Sequence, residues 1–305
     1  MALQIPASIA ALSTRIRKEF ATAMAEAPIF SERIGVFSVI PSEGAFNTYS
    51  FMDGFGPMHE WVGPRHVEQL KERAFTIYNK HYAKTIEANA DDLEDNYAAA
   101  VNDAAIRTRL FTETGRKLKD DLAVDLLRNG QSRVGYDGQY FFDTDHPTDL
   151  DAAGTQSNYE ASGFGLTTGN LQTAYSRMSQ FAGSNGRPFG ASPTTLVIPP
   201  QLKKTADDLL TVQFGSSGAS NSQFGMVKVE VVPELGVDAG TWYLFDNSSM
   251  GIKPLVYQER KPLRLTSKLD SSDDNVFWRN ALVWGLDTRV GAGYGAWWKA
   301  FKAVT

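Results

Sequence analysis

Residues 91–130 read "DDLEDNYAAAVNDAAIRTRLFTETGRKLKDDLAVDLLRNG". Asp91 or Asp92 can cap the start of a helix, and Gly130 stands just past its end. Between them Tyr97, Val101, Ala104, Thr108, Phe111, Gly115, Leu118, Leu122 and Leu126 recur at steps of three and four, the period of one helix face. The pattern runs for roughly 35 residues, or roughly 50 Å, about three times the mean globular helix. Gly115 can kink such a helix, but together with Thr108 it more simply leaves room for a close crossing. A coiled coil is the alternative, and the stripe is too poor in Leu and Ile for a good zipper. The preferred reading is one long helix that serves as the backbone of a subunit.

The chain around it has 305 residues, 42% hydrophobic, with six tryptophans, which is enough for a sizeable core in one large or two intertwined domains. It has no cysteine, so disulfides and thiolate metal sites are excluded. A net charge of −5 argues against a dedicated nucleic-acid binder, which carries a basic face. No apolar run approaches the ~18 residues of a membrane helix. The first residues, "MALQIPASIAALSTRIRKEF", put basic after apolar, the reverse of a secretory signal. A soluble cytosolic chain is expected.

Ile9, Leu12, Ile16, Phe20 and Met24 mark an N-terminal amphipathic helix, with Pro6 in its first turn and Pro28 as its stop. It has nothing local to pack on, and must dock on the body of the protein or on another chain. Residues 41–90 are different. "GAFNTYSFMD" and "RAFTIYNKHYAKTI" read as strands around an irregular Gly-Pro tip, "GFGPMHEWVGPRHVEQLKE". Arms of about ten residues reach roughly 33 Å, and a lone two-stranded hairpin is marginal in water. One carrying Phe46, Tyr49, Phe51, Trp61, Phe75 and Tyr78 has to lie against something. It can fold back on its own domain, or lie across a neighbouring subunit.

Beyond the long helix, residues 130–165 read as a long loop. Leu171, Tyr175, Met178 and Phe181 mark another helix, "TTLVIPP" a buried strand, and "QLKKTADDLL" a helix started by Pro199 and Pro200. "MVKVEVVPEL", "TWYLFD", "LVYQERKPLRL" and "VFWRNALVWGL" read as strands, and 215–225 as a surface loop. Helices and strands mix without a regular βαβ repeat, so the class is α+β.

Some stretches look chemical. "GAGYG" (291–295) has the glycines of a nucleotide loop, but too little chain follows it for the helix, strand and acidic residue of a dinucleotide fold. It reads as a strand end or turn. His59 and His66 near Glu60 and Glu68 suit a subunit contact better than a metal, and His81 an exposed polar role. In "YFFDTDHPTD" (140–149), Asp143, Asp145 and His146 are metal-ligand and acid–base chemistry by residue type. Asp and Thr are also ordinary turn formers, and Pro147 imposes extended backbone on His146. Shaping a loop is the simpler role.

Five stretches in order, "HEWVGPRHVEQL", "FTIYNKHYAKTIEANADDLEDN", "YDGQYFFDTDHP", "TLVIPPQL" and "WYLFDNSSMGIKPLVYQERKPLRL", resemble the major head (capsid) protein of Mu-like tailed phages, across most of residues 5–300. The resemblance implies the tailed-phage and herpesvirus major capsid fold of the Hong Kong phage type. Its parts would be an N-terminal arm (1–40), an extended loop (41–90), a spine helix with a peripheral domain (91–165), an axial domain (166–254) and return strands to the peripheral domain (255–305). It implies a structural protein, not an enzyme, with no cofactor, no metal and no catalytic residue, building an icosahedral shell from pentamers and hexamers around double-stranded DNA. The implied partners are other copies of itself, a separate scaffold protein, a portal and, optionally, a decoration protein, with no membrane. Its place would be the virion, after assembly in the host bacterial cytoplasm. The loop-to-neighbour contacts would fall to Arg65, Glu68, Glu72, Arg73 and Lys80, with Trp61 as the apolar anchor. Two rivals stand beside this reading: a nanocompartment shell of the same fold around an enzyme cargo, and a metal-dependent hydrolase using Asp143, Asp145 and His146.

Overall fold

In the computed structural model, which describes residues 4–52, 72–91, 97–148, 154–183, 186–214, 220–248, 251–270 and 272–305, the long periodic stretch is a single helix. It is α3 (Tyr97–Arg128), 32 residues and about 48 Å long, after α1 (Gln4–Met24) and a short α2 (Phe30–Ile34). Thr108, Phe111 and Leu126 of the stripe are buried, as are Ala123, Val124 and Leu127 beside it. Gly115 marks the close crossing. A Cβ there would lie 2.8 Å from Leu263 Cδ2 and 3.1 Å from Leu286 Cδ1.

α1 docks on the body of its own chain, with Leu12 and Ile16 buried against Leu282 and Trp284. It ends before Pro28, at Met24. Arg116 of α3 donates to the carbonyls of Ala23 at 2.9 Å, Glu26 at 3.2 Å and Ala27 at 2.9 Å. One turn further along, Asp120 accepts from the backbone N–H groups of Phe30 at 3.2 Å and Ser31 at 3.0 Å. Two side chains of α3 therefore satisfy the end of one helix and the start of the next.

Strands β1 (Phe37–Pro41), β4 (Lys80–Asn89), β11 (Leu255–Lys268) and β12 (Ala281–Tyr294) form a four-stranded sheet in the order β1-β11-β12-β4. A five-stranded sheet is built from β7 (Tyr159–Glu160), β13 (Ala300–Val304), β10 (Thr241–Phe245), β8 (Thr195–Ile198) and β9 (Lys228–Val231), in that order. Helices α4 (Thr168–Gln180) and α5 (Lys203–Leu210) pack on it. The class is α+β, as the mixed order implies. The stretch 255–305 divides between the sheets: β11 and β12 in one, β13 in the other. Within the 130–165 loop, β5 (His146–Pro147) and β6 (Gly154–Gln156) make a short clip.

"VFWRNALVWGL" is not one strand. Asp274–Arg279 form a short helix, α6, which ends on Asn280 in the left-handed region at φ 49° before β12 begins. Asn280 tolerates that conformation and stops the helix, so a local cap outweighs the β propensity of Val276, Phe277 and Trp278.

The hairpin exists, but its second arm is shorter than expected. β2 (Phe46–Met52) and β3 (Glu72–Tyr78) pair antiparallel from Phe46↔Tyr78 to Met52↔Glu72 and, among the described residues, only with each other. At Asn79 the chain changes partner, and β4 runs along β12. The glycines of "GAGYG" explain where β3 can pass. A Cβ on Gly291 would lie 2.7 Å from the Tyr78 carbonyl oxygen, and one on Gly293 2.5 Å from Ile77 Cδ1.

Lys302 on β13 is buried, with its Nζ 2.9 Å from Gln131 Oε1 and over the rings of Phe142 and Tyr243 at 5.7 and 5.6 Å. Burial lowers its pKa to about 8 from 10.5. The folded chain therefore releases this proton before the unfolded chain does, and the cost of burying the charge is fully present below pH 8. Between pH 8 and 10.5 the stability of the wild-type subunit relative to Lys302→Met should rise, by the order of 3 kcal/mol; parallel urea curves across that range would refute it. Gly291→Ala drives a Cβ into backbone and should cost about 1–3 kcal/mol. Gly115→Ala meets only side-chain methyls, of Leu263 and Leu286, and gains helix propensity, so it should stay within about 1 kcal/mol of the wild type. Urea midpoints of the two variants check the contrast.

Candidate functional site

Asp143, Asp145 and His146 do not converge. His146 is buried with its side chain 0% exposed, and Asp137, 1% exposed, sits 2.6 Å from its Nδ1. The ring lies flat on Trp297, with centroids 3.9 Å apart and planes 2° from parallel. Asn158 fixes the other edge. Its amide donates to the carbonyls of Phe141 at 2.8 Å and Trp297 at 3.2 Å, which leaves Oδ1 to accept from His146 Nε2 at 3.1 Å and from the Asp143 N–H at 2.9 Å. Both ring nitrogens are thus committed within the core, with no lone pair left for a metal.

Asp143 shapes the turn instead: its carboxylate accepts from the backbone N–H groups of Tyr140 at 3.1 Å and Thr144 at 2.8 Å. Asp145 is exposed, and its pKa is raised chiefly by a hydrogen bond with Asp143, then by burial. Among the described residues no group of three or more His, Asp or Glu is placed to hold a metal. His59 and His66 lie outside those residues. His81 is exposed, 3.5 Å from Asp287, whose carboxyl is held below its ordinary value chiefly by its hydrogen bond to Arg264.

The same loop anchors the hairpin. Phe51 of β2 stacks on Tyr136 at 4.3 Å, and Arg73 of β3 donates to the Asp137 carbonyl at 2.6 Å. On the other side, Gln258 of β11 is fully buried. Its amide donates to Ile77 O at 2.8 Å and Asn79 Oδ1 at 2.7 Å, and its carbonyl accepts from the Tyr49 hydroxyl at 2.9 Å. Burial holds the Tyr49 pKa up, so that donor keeps its proton. Asn79 in turn donates to Ser42 Oγ at 2.7 Å and Gly44 O at 3.0 Å. This network is what turns the strand away from its hairpin partner and onto β12.

Of the contact residues expected from sequence, Trp61, Arg65 and Glu68 lie outside the described residues. Glu72 opens β3, Lys80 is exposed at the start of β4, and Arg73 is engaged with its own chain. Gln258 and Asp137 were not expected. Gln258 carries a signal in sequence, one amide inside the apolar run "LVYQ"; Asp137 carries none, because its partner is nine positions away across a turn.

A long spine, a two-stranded hairpin packed by one face on its own chain and, among the described residues, no convergent reactive groups mark a chain built to support contacts. The sequence pattern of the Mu-like prophage major head subunit gpT matches residues 9–165, 160–235 and 234–304. The chain belongs to this family. It is 29% identical over 297 residues to the major capsid protein of Escherichia phage Mu, covering 96% of this chain and 72% of that protein. It is 26% identical over 322 residues to the FluMu major head subunit of Haemophilus influenzae, covering 100% and 80%. Among solved structures, the subunit in the procapsid of bacteriophage JBD30 superposes with a TM-score of 0.58 at 28% identity, over 98% of this chain and 76% of that one. A virus-like particle from Pyrococcus furiosus superposes at TM-score 0.51 and 12% identity, over 95% and 98%, and shows the fold alone.

This head subunit is therefore a capsid shell protein with the tailed-phage major capsid fold, a structural protein of the virion rather than an enzyme. No described helix is long and apolar enough to cross a membrane. The shared fold would not separate a phage head from another kind of shell; the family does. In the head subunit, His146→Ala should cost about 3–5 kcal/mol in unfolding free energy, since it removes the buried partner of Asp137 Oδ2 and the ring stacked on Trp297. Asp145→Ala should stay within about 0.5 kcal/mol, with neither value moved by magnesium or EDTA. Equal losses, or a metal-dependent shift, would restore the hydrolase reading.

Proposed function

We propose that this head subunit closes into an icosahedral shell of pentamers and hexamers, with the hairpin lying across a neighbouring copy and double-stranded DNA enclosed. The observation that carries this is the β2–β3 ribbon, which among the described residues pairs with no third strand. Its inner face packs on its own chain through Phe51 and Ile77, whereas its outer face, with Phe46 and Tyr78, stays exposed. Two strands alone are marginal in water, and a ribbon with one open face gains stability when another copy covers it. Many such contacts per subunit make closure favourable and release slow, although each is modest.

In this arrangement residues 1–40 act as the arm, 41–90 as the loop, 91–165 as spine and peripheral domain, 166–254 as the axial domain, and 255–305 as return strands. Trp61 is the apolar anchor on the neighbour; Arg65, Glu68, Glu72 and Lys80 set its register through charge pairs, with Arg73 fastening the ribbon to its own chain. Assembly in the host bacterial cytoplasm uses a separate scaffold and a portal, and leaves room for a decoration protein. The acidic balance of the chain, −5, suits a wall that confines DNA without gripping it.

Replacing residues 53–71 by an Asn-Gly turn between the paired Met52 and Glu72 tests the reading. The shortened subunit should unfold at the wild-type urea midpoint and fail to form stable shells when coexpressed with its scaffold, as seen by electron microscopy. Normal shells would overturn the hairpin's role.

A further inference from the structure

Phe277 and Trp278 are the two most exposed large apolar side chains among the described residues, at 72% and 76%. Their rings meet edge to face, 4.9 Å apart. They sit on α6, at the turn between the long strands β11 and β12, and this turn is held firmly from inside. Val276 packs on the cluster of Leu282 and Trp284. The Asn275 amide donates to the carbonyls of Lys268 and Ala281, one on each strand, and Asn280 donates to Asp91. A fixed helix therefore presents two aromatic rings to solvent, the composition of an interface anchor and not of a loose loop.

An apolar groove lies at the same end of the sheet. It has a volume of about 380 Å³ between α1, α3, β4 and β12, with a floor of Ile16, Ile86, Phe111 and Trp284. Leu110 stands 60% exposed on its wall. Trp284 is 2% exposed, and its indole N–H has no acceptor. Lys84, Arg107 and one acid, Glu87, also line the groove; Asp270, Asp273 and Asp274 stand just ahead of the aromatic pair and Arg279 just after it. The groove is net basic and the tip net acidic, so the charges are complementary.

We infer that the Phe277–Trp278 tip of one head subunit docks in the α1/α3/β4 groove of a second copy in the shell. This rests on the shell reading, which supplies neighbours of identical sequence; charge complementarity and the matched apolar faces select the partner. Trp284 is three residues into β12, so tip and groove are about 10 Å apart along the strand. Tip and groove are different patches, so each copy can give its tip to one neighbour and take the tip of another, and the contact runs from copy to copy. The basic residues steer the acidic tip, and the rings exclude water from the floor.

The absence of native cysteine makes the test clean. An Arg279→Cys/Thr114→Cys subunit, which keeps both rings and Leu110, should when assembled and mildly oxidised give a reducible ladder of linked chains on a denaturing gel. Arg279→Cys paired with Val237→Cys, exposed elsewhere on the subunit, should not. Separately, Phe277→Ser/Trp278→Ser should leave the melting temperature of the unassembled subunit within about 2 °C, as expected for surface positions, yet lower shell yield at least tenfold. Shells that form normally without the ladder, or serine variants that assemble fully, overturn the contact. A fall in melting temperature matching the loss of assembly also overturns it, by making the pair part of the fold. If the scaffold were the occupant, the ladder would be missing from finished shells. Should the cysteine-free wild type form no shell at all, the shell reading itself fails; the same oxidation of concentrated subunits then decides the contact, and no link there overturns it too.

Discussion

The last turn of α3 leaves carbonyls that the helix itself cannot satisfy, and two buried tyrosines supply the donors. Tyr294 of β12 reaches Leu126 O at 2.9 Å, and Tyr243 of β10 approaches Leu127 O at 3.5 Å. One tyrosine comes from each sheet, so the end of the spine is where the two sheets are joined. Burial raises both hydroxyl pKa values, which keeps the donors protonated. Phe141 stacks on Tyr294 at 4.5 Å and Phe142 meets Tyr243 at 5.8 Å, so the loop after the spine is packed into the same junction. A continuous apolar core from Phe30 to Ala303 runs through it.

That junction explains why reactive-looking residues do structural work here. The chain leaving α3 must cross the joint and reach β7, and its backbone needs partners on the way. Asp137 and Asn158 provide them in the interior, and His146 ties the two together on the face of Trp297. A buried hydrogen bond of this kind adds modest net stability but is costly to break. Its value is in fixing one arrangement of the loop, and through Tyr136 and Asp137 the direction in which the hairpin leaves.

A shell subunit must be rigid where it sets geometry and uncovered where it meets a copy. The head subunit separates these demands along the same strands. Gln258 and Asn79 hold the hairpin's root with side-chain amides, and Gly291 and Gly293 let β3 lie close on β12. The opposite face of β2 and β3, with Phe46 and Tyr78, stays uncovered. At the far end of β12 the pattern repeats, with Asn275 and Asn280 holding a turn that shows two aromatic rings to solvent.

Periodicity alone determined the spine, because one helix face repeats over its full length, and alternating aromatic and β-branched residues determined the hairpin strands. Composition excluded disulfides, and five ordered stretches pointed to the family. None of this reached Asn79, where β3 becomes β4: the residues on both sides have strand propensity, and only the position of Gln258, 179 positions away, decides which neighbour each pairs with. Nor could propensity place α6, which a cap and two asparagine bridges impose on residues that favour strands. His146 is the plainest case. Its type suggested chemistry, and its burial between Asp137, Asn158 and Trp297 decided otherwise, since a sequence records which groups are present, whereas only the folded chain brings distant partners close enough to use up their hydrogen bonds.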